Sequence, residues 1–181
     1  ALTISNSSTD GFLKNTSDSV FAGSKGLGAT SNDIPPSSVA NVRSNTVWNL
    51  DARDAATADG HIDLSFDLDQ LGLDISNDTD DYVLLWRSGQ SGEFTEIATA
   101  DTAVGNSVSF NNLLVDLDAN LLTTDVIKNG YFTVALKDNS APEYDRAEIN
   151  GNTITLVYSE HVFACAFLCS SSSIVSRLRL E

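Results

Sequence analysis

Two clusters of oxygen-bearing side chains are the first residues in this chain whose types and spacing could do chemistry. Asp51, Asp54 and Asp59 crowd one short stretch, and Asp74, Asn77, Asp78, Asp80 and Asp81 crowd a later one. Ca²⁺ takes six to eight oxygen ligands from carboxylates, carboxamides and backbone carbonyls, so both clusters are calcium candidates. Neither reproduces the D-x-[DN]-x-[DN]-G-x5-E loop of an EF-hand. A solvated acidic surface accounts for the same residues without an ion. Asp116, Asp118 and Asp125 make a thinner third group.

Aromatic residues are the second source of chemistry. Trp86, Trp48 and Tyr82, with Tyr131 and Phe132, could offer flat faces to sugar rings, with Asp and Asn at the rim. All five lie in strand-like patterns, where aromatics ordinarily belong to the core. Catalytic constellations are harder to find. Ser91 sits in Gly89-Gln90-Ser91-Gly92, which is not G-x-S-x-G, and only His61 and His161 are available as bases. Paired carboxylates suited to glycoside hydrolysis are too abundant in so acidic a chain to single any out. The expectation is therefore no catalytic residue and no enzyme. Gly23, Gly26 and Gly28 fit neither phosphate-loop spacing. Cys165 and Cys169 have no second cysteine pair, and read as incidental thiols rather than a zinc site.

The elements that must position these residues read as strands. From His61 to Leu68, Ile62, Leu64, Phe66 and Leu68 alternate with Asp63, Ser65 and Asp67, the period of a strand with one face toward a core. Thr46–Leu50, Tyr82–Trp86, Ser107–Phe110 and Tyr131–Leu136 are of the same kind, each bounded by Gly, Asn, Asp or Ser. Val83 to Trp86 is continuously apolar, as in a strand covered on both faces. Val20–Gly23 is the strand expected in the Ser- and Gly-rich start, and Leu113–Lys128 reads as loop with a short helix at most. The fold expected is all-β, an antiparallel β-sandwich of Ig-like or jelly-roll-like form.

Charge and composition set the partners. With 25 acidic and 10 basic residues the net charge is -15, which repels nucleic acid and anionic membrane. No apolar run is long enough to span a bilayer as a helix. The chain has no Met, as expected of a piece of a larger protein. Composition shifts at Lys137, where Asp138-Asn139-Ser140-Ala141-Pro142 leads to a new alternation around Asn150-Gly151-Asn152. The expected organisation is a β-sandwich module over 1–137, the truncated start of a second domain over 138–162, and an atypical, non-native tail over 163–181.

The order Val47-Trp48-Asn49-Leu50, Gly60 to Leu68, Leu71-Gly72-Leu73, Tyr82-Val83-Leu84-Leu85, Gly92-Glu93-Phe94, Val108-Ser109-Phe110 and Gly130 to Ala135 resembles an uncharacterised β-sandwich module. That module recurs in very large bacterial surface and secreted proteins, adhesins among them. Where it often carries Asp-x-Asp-Gly after the Leu-Leu strand, this chain has Arg87-Ser88-Gly89-Gln90. The link at Asp138–Pro142 and the hairpin to Tyr158 resemble the start of a bacterial Ig-like repeat. The resemblance implies an extracellular, cell-surface location and a structural or adhesive role. Its partners would be neighbouring domains of the same chain and a glycan or cell-surface ligand, with calcium as a stiffener. The alternative is a carbohydrate-binding module of a secreted enzyme.

Overall fold

In the computed structural model, side chains and backbone are described for residues 1–25, 29–38, 40–53, 60–76, 78–117 and 124–137, and backbone for 144–150, 153–158 and 176–179. The chain divides into two compact units, Ala1–Asp138 and Asn139–Glu181. The described strands of the first are β1 (Leu2–Asn6), β2 (Ser19–Lys25), β3 (Thr30–Ser31), β4 (Ala40–Ser44), β5 (Val47–Arg53) and β6 (Gly60–Asp67). After a single helical turn, α1 (Leu68–Leu71), come β7 (Tyr82–Arg87), β8 (Thr95–Thr99), β9 (Thr102–Val104), β10 (Ser107–Val115), β11 (Val126–Ile127) and β12 (Gly130–Lys137). The second unit contains β13 (Tyr144–Asn150), β14 (Thr153–Tyr158) and β15 (Ser176–Arg179), paired antiparallel in that order.

The first unit is an all-β sandwich. One sheet runs β1-β6-β10, and the far edge of β10 is shared by β9 and, in parallel, by β11. In the other, β12 is central: β7 and then β8 lie on one side, while β5 and β4 share the other. β2 extends β5 and β3 extends β4. The alternation in β6 does what its sequence dictates, since Ile62, Leu64 and Phe66 are fully buried while His61, Asp63, Ser65 and Asp67 are only partly covered. Phe66 is the hub between the sheets. Its ring meets Trp48 edge-on at 5.2 Å, Phe110 at 5.9 Å and Phe132 at 6.2 Å, within the spacing at which aromatic edges and faces attract.

The second sheet is covered on its outer side as well. Val83 and Leu85 point away from the main core and pack with Ala40, Phe94 and Ala135, flanked by Ile34 and Val47. That outer layer is why β7 is apolar at every position before Arg87. The expected loop over Leu113–Lys128 is corrected here: Leu113–Val115 and Val126–Ile127 are strand. Strand β10 continues through Leu113–Val115 because a bulge between Phe110 and Leu113 absorbs two polar residues. There Asn112 takes φ 54 and its N–H donates to Asp63 Oδ1 at 2.7 Å. The tail over 163–181 lies outside the described residues except for the backbone of β15.

Candidate functional site

The acidic residues after β6 hold their own turn. The Asp74 carbonyl accepts the Tyr82 hydroxyl at 2.9 Å, and the Ser76 N–H donates to that hydroxyl at 2.6 Å. Asp78 Oδ1 accepts the Asp80 N–H at 3.0 Å, capping the 3-10 turn Thr79–Asp81. The Ser76 hydroxyl donates to the buried Asp81 carboxylate. Asp51 lies on β5, where it pairs with Arg53 at 3.2 Å. Asp54, Asp59, Asn77 and Asp118 lie outside the described residues. Among the described residues no three His, Cys, Asp or Glu side chains come together in one group, and Asp74, Asp78 and Asp81 are engaged in the turn's own hydrogen bonds.

Burial places four of the five platform aromatics in the core, and only Tyr131 is partly exposed. Tyr82 is 0% exposed, Trp48 6% and Trp86 8%, and Phe132 is buried with them. Trp48 stacks on Phe132 at 5.9 Å. The Trp86 Nε1–H donates to the Lys128 carbonyl at 3.0 Å. Turning a ring like Trp86 out to face a ligand forfeits about 2–3 kcal/mol of burial as well as that hydrogen bond. These rings are core because each occupies an inward position of a strand in the central part of its sheet.

The remaining candidates are structural or unassembled. The His61 carbonyl accepts the N–H groups of Ser7 and Phe12, and the His61 ring lies 3.2 Å from the Asp10 carbonyl, so the residue seats the first loop. Phe12 plugs the core from that loop at 1% exposure. Asp125 sits at φ 61 with its N–H on the Ile97 carbonyl at 2.7 Å. Ser91 is exposed in a turn. His161, Cys165 and Cys169 lie outside the described residues.

Sequence reasoning missed a groove on the outer face of the second sheet. Register places Gly23, Asn49, Tyr131 and Arg87 in one row across β2, β5, β12 and β7. With Lys25, Arg43, Asn45 and Gln90 they line a concavity of about 580 Å³. Its shape comes from the junction of β4 and β5. The Thr133 hydroxyl lies 3.0 Å from the Ser44 carbonyl and 2.8 Å from the Thr46 carbonyl, and Ser44 Oγ donates to the Leu71 carbonyl at 2.8 Å. These buried contacts fix the bend between the strands.

Two arginines are held firmly beside it. Arg43, 6% exposed, donates from Nε to the Asp33 carbonyl at 2.7 Å, from Nη1 to the Ser44 carbonyl at 2.8 Å and from Nη2 to Asp33 Oδ2 at 3.0 Å. Arg87 lies over the Phe94 ring at 4.2 Å, and Arg43 meets the same ring at 5.0 Å, a contact that fixes planar guanidinium groups. Burial, and then the neighbouring Arg43 charge, pull the Arg87 guanidinium below its ordinary pKa. No family model matches the chain, and neither does a curated protein or a solved structure.

Proposed function

We propose that the chain is a non-catalytic structural and adhesive part of a large bacterial surface protein. The observation that carries this reading is serial construction: an acidic β-sandwich unit is followed in the same chain by a second, separate antiparallel unit. Serial β units suit an extracellular spacer, and a net charge of -15 keeps such a chain soluble and off nucleic acid. The side chains with chemical capacity support the same reading, since Asp78, Asp81, Tyr82 and Trp86 hold turns and core together. Location is the test of that reading. Antibody raised against the full chain should label intact cells of the encoding organism. Labelling that requires permeabilisation of the cells overturns the reading.

A further inference from the structure

We infer that the groove on the outer face of the second sheet binds a carboxylated sugar. The inference goes beyond the proposed role and stands on the groove alone, whether or not the chain lies outside the cell.

Charge is the first argument. Acidic residues outnumber basic ones by 25 to 10 in the chain, yet among the described residues the charged ones lining this groove are Lys25, Arg43 and Arg87, with no carboxylate. Asp33 pairs with Arg43, while among the described residues neither Lys25 nor Arg87 has a carboxylate partner. Among the described residues the buried Arg87 Nε–H has no acceptor, and its Nη1 donates to the Gly92 carbonyl at 3.2 Å. Phe94 holds both guanidinium groups in place before any ligand arrives, so ordering them costs an incoming anion little.

Ligand class follows from what surrounds the cations. Asn45, Asn49, Gln90 and the Tyr131 phenol bring neutral donors and acceptors to the same concavity, the groups that match sugar hydroxyls. Its volume suits one or two rings. A polyanion of high charge density meets the repulsion of the whole -15 chain, whereas one or two carboxylates spaced along sugar rings feel chiefly the local cations. At the groove wall, Gly23 leaves room: a Cβ built there meets nothing within 4 Å. A side chain at that position would fill the groove without disturbing the sheet.

The experiment is calorimetric titration of the full chain with digalacturonate, alongside neutral digalactose, inorganic phosphate and tetraglutamate. Saturable binding of digalacturonate is expected, at least tenfold tighter than digalactose, phosphate or the acidic peptide, and weakened by 0.5 M salt. Gly23→Glu should reduce it at least tenfold with the thermal midpoint unchanged. Arg87→Gln should reduce it as much, with a small fall in midpoint from the lost Phe94 contact, and Arg53→Gln, on the same face but outside the groove, should not reduce it. Absence of saturation by digalacturonate overturns the inference. So does equal binding of any of the other three probes, or binding that survives Gly23→Glu.

Discussion

The Tyr82 hydroxyl donates to the Asp74 carbonyl at 2.9 Å and accepts the Ser76 N–H at 2.6 Å, so one fully buried ring ties the loop after α1 to the start of β7. The device is of the tyrosine-corner kind found in other β-sandwiches. Tyr82→Phe keeps the ring and leaves two backbone groups without their partner. The expected loss is about 1–3 kcal/mol, seen as a fall of several degrees in the thermal midpoint.

Alkali provides a second test of the same residue. Burial, against the Ser76 hydrogen bond and with repulsion from Asp81 and Asp74, raises the Tyr82 pKa above the ordinary tyrosine value. The folded state therefore holds this proton longer than the unfolded one. Its contribution to stability is full below the ordinary pKa of about 10 and is lost as pH rises from there through the raised pKa of the folded state. Chemical denaturation between pH 8 and 11 should show that decline in the parent and a shallower one in Tyr82→Phe. Identical slopes would remove Tyr82 as its source.

Gly130 and Gly23 make opposite predictions from the same residue type. A Cβ at Gly130, where φ is 153, would stand 2.6 Å from the Arg87 carbonyl oxygen and 2.6 Å from the Trp86 indole nitrogen. Gly130→Ala must part β12 from β7 or push Trp86 off the Lys128 carbonyl, at a cost of about 1–3 kcal/mol. Indole fluorescence should shift to the red as Trp86 loosens. Gly23→Ala, facing open space in extended backbone, should be neutral or slightly stabilising. Equal losses in the two variants would contradict this packing.

What the sequence discloses, and what it hides, follows from the range of each interaction. Ile62, Leu64 and Phe66 declare their strand because alternation is local, and the unbroken apolar run of β7 declares a strand with two covered faces. The end of β10 was hidden because the bulge at Asn111–Asn112 inserts two polar residues and shifts the alternation. The groove was hidden for a different reason. Gly23, Asn49, Tyr131 and Arg87 share a row only through three strand pairings, and no local pattern records which strands pair. Tyr131 lines the groove, while the sequence puts it on the same footing as the buried Trp48, Trp86, Tyr82 and Phe132.

Asp125 is expected to cost stability at neutral pH. The residue is exposed, yet the desolvation that its immediate surroundings impose, and then the Asp101 charge, raise its carboxyl pKa above the ordinary value. The folded state thus binds this proton more tightly than the unfolded chain, so stability falls as pH rises through the carboxylate range. Asn carries no charge and tolerates the left-handed backbone found here, φ 61. Asp125→Asn should raise the midpoint by roughly 1–2 °C at pH 7, a small figure because water screens an exposed group. The gain should vanish near pH 3, where the parent carboxyl is protonated too. A gain that does not change with pH would point to the backbone rather than the charge.

The carboxylates after β6 should respond to substitution but not to calcium. Asp78 works as a cap through Oδ1 on the Asp80 N–H, and no group of three carboxylates forms among the described residues. A specific site filled at about a hundred times its dissociation constant would add roughly 2.7 kcal/mol and lift the midpoint by several degrees. For the full chain at fixed ionic strength, midpoints in excess EDTA and in millimolar Ca²⁺ should instead agree within about 1 °C. Asp78→Ala should lower both by the same amount, about 1 kcal/mol for a lost cap, and Asp78→Asn, itself a good cap, should restore them. A rise produced by Ca²⁺ and not by Mg²⁺ would overturn this account. If that rise survived Asp78→Ala, the ion would belong to another acidic stretch, that of Asp51, Asp54 and Asp59 or that of Asp116, Asp118 and Asp125. If it disappeared, the turn after β6 would close around calcium through Asp78, which would then act as a ligand as well as a cap.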